Sequence, residues 1–145
     1  MSEYTRSIKA LGEVALRVRN LEAMQEFYEK IIGLELVGRY ENVIVFFQIA
    51  PGYEGHIQTL ALFDQSAEAD HTSRHYAGVD SEKSTLHHLA FSISLADFEA
   101  EKVRLQNLGL DVETSEHGLA HFRSLYIADP EGNVVELVCY DASVR

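Results

Sequence analysis

The chain has 145 residues, 46% hydrophobic and 24% charged, which describes one soluble globular domain long enough to bury a real core. Its formal charge of -11 excludes nucleic acid and anionic membrane surfaces as partners, since both would repel it, and leaves small molecules and other protein chains. A lone cysteine, Cys139, excludes an internal disulfide and a Cys-x-x-Cys zinc pair; with no signal-peptide core and no apolar run of membrane-spanning length, the expected location is the reducing cytoplasm.

In chain order, the first predicted element is a strand, Glu13-Val-Ala-Leu-Arg-Val18. Asn20 then caps an amphipathic helix through Leu21, Met24, Phe27, Tyr28 and Ile31, stopped by Gly33. Strands follow at Leu34 to Tyr40, Val43 to Ile49 and His56 to Phe63. Residues 64–84 are polar without steady periodicity and read as a connecting loop, with His71 and His75 solvated in it; the stretch from Ala50 to Gly55 reads as a loop as well. The same course then repeats. His88-Leu-Ala-Phe-Ser-Ile93 lines up with the first strand 75 residues on, from 13 to 88. Ser94-x-x-Asp97 caps a second helix through Phe98, Leu105 and Leu108, stopped by Gly109. Strands are expected around Leu110 to Val112, at Phe122 to Ile127 and at Val134 to Tyr140.

The stretch D-P-E-G-N is a turn with a mechanism: Pro130 sets φ, Asp129 can bond its own backbone, and Gly132-Asn133 tolerate left-handed geometry. It makes the segment from His117 to Glu136 a hairpin carrying imidazoles, a phenol and a carboxylate. Each half thus reads strand, helix, strand, strand, strand. The first spans 9–64, the loop 65–84 and the second 85–141, all within one domain, 1–145. One helix over four short strands buries little alone, so the halves are expected to pack into a single curved sheet of an α+β fold.

Two-residue alternation puts Val14, Leu16 and Val18, and likewise Leu89, Phe91 and Ile93, on faces that meet the helices. The opposite faces carry Glu13, Ala15 and Arg17, and His88, Ala90 and Ser92, small residues flanking single groups able to bind metal. Glu136 shares a strand face with Val134, Val138 and Tyr140, and burying its carboxylate costs several kcal/mol unless a metal, a basic partner or solvent meets it. With pseudo-twofold symmetry between the halves, Glu13 and His88 become equivalent and converge with Glu136 on one divalent cation. Such oxygen and nitrogen donors suit Fe(II), Mn(II), Ni(II), Zn(II) or Co(II). Taken singly, Glu13 is as well explained as a solvated strand-edge residue; the coincidence of repeat and face favours the site. Arg17 and Arg123 are the cations that an anionic group would meet.

The paired modules and the stretch A-D-P-E-G-N-V-V-E-L resemble the vicinal oxygen chelate superfamily, which includes glyoxalase I, bleomycin- and fosfomycin-resistance proteins, methylmalonyl-CoA epimerase and extradiol dioxygenases. The resemblance covers nearly the whole chain. It implies two βαβββ modules forming a cupped, half-open eight-stranded mixed sheet with helices on the outer face, often as a homodimer. It also implies metal ligands on the first strand of each module and the last strand of the second, which are Glu13, His88 and Glu136 here. The longer pattern H-G-L-A-H-F-R-S-L-Y through D-P-E-G-N to Glu136 is similar to the catalytic module of catechol-type extradiol dioxygenases. By that likeness Fe(II) is the favoured metal, Tyr126 hydrogen-bonds a substrate oxygen, and His117 supplies polar contact or proton transfer, with His121 nearby.

Two positions depart from the dioxygenase pattern. The first-strand ligand there is histidine, where this chain has Glu13, and the acid/base histidine slot falls at Gln58 or Thr59, with His56 just before it. Glyoxalase I relatives place a fourth, glutamate ligand at Thr59, which counts against a glyoxalase proper. They leave open an isomerase, epimerase or lyase in which Glu13 serves as base. A metal-free binding protein of the bleomycin-resistance kind is the third possibility, although this chain keeps all three ligand types. The leading expectation is a dioxygenase-like enzyme acting on a small aromatic diol.

Overall fold

The computed structural model describes residues 7–67 and 84–145, so His71, His75 and most of the expected connecting loop lie outside the described residues. The chain divides into two compact units, residues 1–78 and 79–145, each built on one four-stranded mixed sheet. The fold is α+β, with a βαβββ course in each unit. Among the described residues, no helix is long and apolar enough to cross a membrane.

In the first unit, β1 (Glu13–Val18), α1 (Leu21–Glu26), β2 (Glu35–Tyr40), β3 (Ile44–Tyr53) and β4 (His56–Asp64) give the sheet order β1-β4-β3-β2. β1 runs parallel to β4 and the other pairs are antiparallel. Asn20 Oδ1 accepts the Ala23 N–H at 3.1 Å, the expected cap. The helix then widens. Phe27–Ile32 form a π-helical turn that closes on Gly33, whose N–H bonds Tyr28 O at φ +88. The predicted helix is therefore α-helical only through Glu26, and the wide turn lets the consecutive aromatics Phe27 and Tyr28 both be buried, edge to face at 5.1 Å. Leu21, Met24, Phe27 and Tyr28 form the core with Val45, Phe47, Leu60 and Leu62. β3 extends past the expected Ile49 to Tyr53, pairing with β4 through two register shifts that accommodate Pro51. Only Glu54 and Gly55, both at positive φ, remain as turn.

In the second unit, β5 (Leu89–Ser92), α2 (Phe98–Asn107), β6 (Glu113–His117), β7 (Phe122–Ala128) and β8 (Val134–Tyr140) give the order β5-β8-β7-β6, with β5 parallel to β8. Ser94 Oγ accepts the Asp97 N–H at 3.2 Å and starts a short 3₁₀ turn ahead of α2. Phe98 and Leu105 are buried, but Leu108 is exposed at the helix end. No strand forms at Leu110 to Val112. The Leu110 N–H bonds back to Leu105 O, finishing the helix, and the strand is instead the polar run E-T-S-E-H of β6, held by backbone pairing to β7. His117 consequently ends β6, one strand earlier than the β7–β8 hairpin expected to carry it.

The turn between β7 and β8 is organised by Asp129, which is buried. Its Oδ1 accepts the Glu131 and Asn133 N–H groups at 2.9 Å each, and its Oδ2 accepts Asn133 Nδ2 at 2.8 Å. These bonds to a charged acceptor fix the register that sets Tyr126 beside Glu136. Asp129→Ala is expected to lower stability by about 2–4 kcal/mol in urea unfolding, and Asp129→Asn, which keeps one acceptor, by less. Equal losses would show that shape, and not the carboxylate, holds the turn.

Candidate functional site

Directly paired residues in a ladder lie side by side on one face, so the register lists which side chains share a surface. In the second unit one such row is Ala90, Glu136, Tyr126 and Glu113; the next is Ser92, Val138, Ser124 and Ser115; a third is Tyr140, Phe122 and His117. The alternate residues Val135, Leu137 and Cys139 are buried on the other face, as the strand alternation requires. Burial also raises the Cys139 thiol pKa, which makes it a core group and not a reactive one.

Glu136 is only 7% exposed, and its Oε2 lies 3.0 Å from His88 Nε2. His88 immediately precedes β5, diagonal to Glu136 across the parallel ladder. A separation of 3.0 Å is a hydrogen bond, and it is also about the edge between two ligands set at right angles, each about 2.1 Å from a metal. An imidazole and a buried carboxylate facing each other at this distance fit a divalent cation. Among the described residues, no group of three or more His, Cys, Asp or Glu side chains is gathered so as to hold a metal ion. His88 and Glu136 are two side chains able to donate to such an ion.

Beside this pair stands a second polar cluster. His117 Nε2 is 2.9 Å from the Tyr126 hydroxyl, and Ser115 Oγ lies 2.9 Å from His117 Nε2 and 3.1 Å from the Tyr126 hydroxyl. The structure thus joins Tyr126 and His117, which sequence reasoning singled out, and adds Ser115, which it missed. The signal available was spacing: Ser115 and His117, two apart on one strand, point to the same face. Ser124, fully buried on the same face, has a hydroxyl with no hydrogen-bond partner among the described residues.

In the first unit the corresponding row is Glu13, Thr59, Gln48 and Glu35, followed by Ala15, Ala61 and Phe46. Glu13 is exposed, and Thr59 Oγ1 donates to its Oε1 at 2.9 Å. Of the two residues considered for the last-strand slot, Thr59 shares the Glu13 row, whereas Gln58 alternates to the other face. His56 packs its ring over Gly12, where an added Cβ would sit 3.4 Å from the imidazole.

Two other expectations change. His121 adopts a left-handed φ of +55, and its Nδ1 lies 2.7 Å from the carbonyl of Val144, so it anchors the tail. Arg123 is on the helix-facing side, its guanidinium 5.6 Å above the Phe98 ring and 3.0 Å from Asp141. It serves packing and ion pairing on that side, away from the face of Glu136.

The sequence model of the Glyoxalase/Bleomycin resistance protein/Dioxygenase superfamily matches residues 10–137. Among solved structures, the chain is similar to lactoylglutathione lyase from Agrobacterium tumefaciens, 27% identical over 92% of this chain and 96% of that one, with a TM-score of 0.68. It is similar to an integron cassette protein from the mobile metagenome of the Halifax Harbour sewage outfall, 25% identical over 91% and 99%, with a TM-score of 0.66. A third likeness, of fold, is to a fosfomycin resistance protein from Listeria monocytogenes solved with Mn(II) and 1S,2S-dihydroxypropylphosphonic acid, 20% identical over 95% of each chain, TM-score 0.67.

Removing the imidazole leaves the Glu136 carboxylate buried without that neighbour. His88→Ala is expected to cost about 1–2 kcal/mol in urea unfolding at neutral pH. In a Glu136→Gln background the same substitution should cost less than about 0.5 kcal/mol. Equal costs in the two backgrounds would mean that the pair contributes nothing to stability.

Proposed function

The chain belongs to the Glyoxalase/Bleomycin resistance protein/Dioxygenase superfamily, and we propose that it is a divalent-metal-dependent enzyme that acts on a small molecule through Glu13, His88 and Glu136. The observation that carries this is the His88–Glu136 pair, a buried carboxylate met by an imidazole at 3.0 Å on the face opposite the core. Glu13 is the third donor, by the resemblance of its strand to that of His88. These residues would hold a divalent cation, whose chemistry there would be to polarise a substrate oxygen and stabilise negative charge developing on it.

The protein's own groups account for the rest. Thr59 Oγ1 donates to Oε1 of Glu13 and so orients that carboxylate. Tyr126, in the row of Glu136, presents a phenol to a substrate oxygen. His117 Nε2, 2.9 Å from that phenol, is placed to take its proton or return it, and Ser115 holds both. The arrangement suits a reaction in which a proton moves next to a polarised carbonyl or hydroxyl.

A donor set of two carboxylates and one imidazole is anionic and favours Lewis-acid work, which supports a lyase or isomerase reaction of the glyoxalase kind. The likeness to a lactoylglutathione lyase points the same way. Ring cleavage of a catechol with Fe(II) is the second reading, supported by the His117–Tyr126 contact that the dioxygenase-like pattern implies. A metal-free binding protein is disfavoured by retention of all three donor types. The protein is expected to act in the cytoplasm as a homodimer.

Titrated calorimetrically with Mn(II), the metal-free chain should take up one equivalent, and Glu136→Gln should weaken that binding at least tenfold. No uptake of Mn(II), Fe(II), Co(II), Ni(II) or Zn(II) would leave only the metal-free binder. Oxygen consumption with a panel of catechols under ferrous iron separates ring cleavage from isomerisation. With whichever substrate turns over, Tyr126→Phe should lower kcat about 10²-fold while metal affinity holds. Unchanged turnover would remove the phenol from the chemistry.

A further inference from the structure

His87 precedes the proposed ligand His88, and neighbouring residues of an extended strand point to opposite faces. Here they do not. β5 begins only at Leu89, and the backbone ahead of it brings the two rings together, His87 Nδ1 to His88 Nδ1 at 2.7 Å. His88 is therefore engaged at both nitrogens, Nδ1 by His87 and Nε2 by Glu136.

A neutral imidazole carries one proton, so this chain of contacts has two arrangements. In one, His88 Nε2–H donates to Glu136 and its Nδ1 accepts from His87. In the other, His88 Nδ1–H donates to His87, and the Nε2 lone pair faces the Glu136 carboxylate, an arrangement that is repulsive unless a cation lies between them. Only the second offers His88 as a ligand. It requires an acceptor at Nδ1, and His87 Nδ1 is the acceptor in place.

We infer that His87 is a positioning residue, whose Nδ1 accepts the His88 Nδ1 proton and so fixes the ring orientation and tautomer that present His88 Nε2, with Glu136, to a divalent cation. This rests on the metal reading proposed above. The nitrogen that binds a metal is set by the hydrogen bond made at the other one, and such outer partners influence metal affinity by about 10–100-fold. His87 is exposed, so water competes for the same proton and the effect belongs at the low end of that range.

The test is Co(II) titration of the full metal-free chain, read by affinity and by the visible d–d spectrum of the bound ion. His87→Ala should weaken Co(II) binding about tenfold, with the same stoichiometry and the same spectrum. His87→Asn, whose side-chain oxygen can accept the same proton, should recover most of the loss. Wild-type affinity in His87→Ala overturns the inference, as does equal weakening by Ala and Asn. An altered spectrum in His87→Ala also overturns it, making His87 itself a ligand. If the unaltered chain binds no Co(II), the metal reading itself fails, an outcome distinct from any of these.

Discussion

A carboxylate carried into a sheet has to be compensated, and Glu136 is the place where this protein meets that demand. Its strand neighbours Val135 and Leu137 are drawn into the core, and strand alternation turns Glu136 away from them. Burial of the backbone nevertheless takes the carboxylate most of the way out of water. His88 across the ladder, Tyr126 in the same row and the Asp129 turn that sets the register all gain their positions relative to this one group.

Both modules solve the same geometrical problem with different chemistry. In each, the first and last strands run parallel and adjacent, so one surface receives side chains from both. In the first module that surface holds Glu13 opposite Thr59, a carboxylate with a hydroxyl donor. In the second it holds an imidazole diagonal to a carboxylate. The duplicated frame is retained while its polar occupants diverge, which is how one architecture supports many reactions.

Much of the frame was legible because its signals are local. Asn20 and Ser94 cap, Gly33 and Gly109 stop, and D-P-E-G-N turns, each through its own backbone chemistry. β6 was misplaced because its residues are polar and its order comes from pairing with β7, a partner that periodicity cannot reveal. The π turn at Phe27–Ile32 was equally silent, since burial of two adjacent aromatics imposes it from outside the helix. For the site, residue type and face pointed to Glu13, His88 and Glu136, and the dioxygenase-like pattern to His117 and Tyr126. The hydrogen bonds of Thr59, Ser115 and His87 depend on register and on irregular backbone, which a sequence does not print.

Pairing the first strand of a module with its last has a cost in folding. Glu13 and Thr59 are 46 positions apart, and bringing such distant segments together requires loop-closure entropy to be met before the contact repays it. The hairpins of β3 with β4 and of β7 with β8 are local and can form early, whereas the parallel ladder must wait for the whole module. On the ribosome, the second module therefore keeps His88 and Glu136 apart until its last strand has emerged and docked.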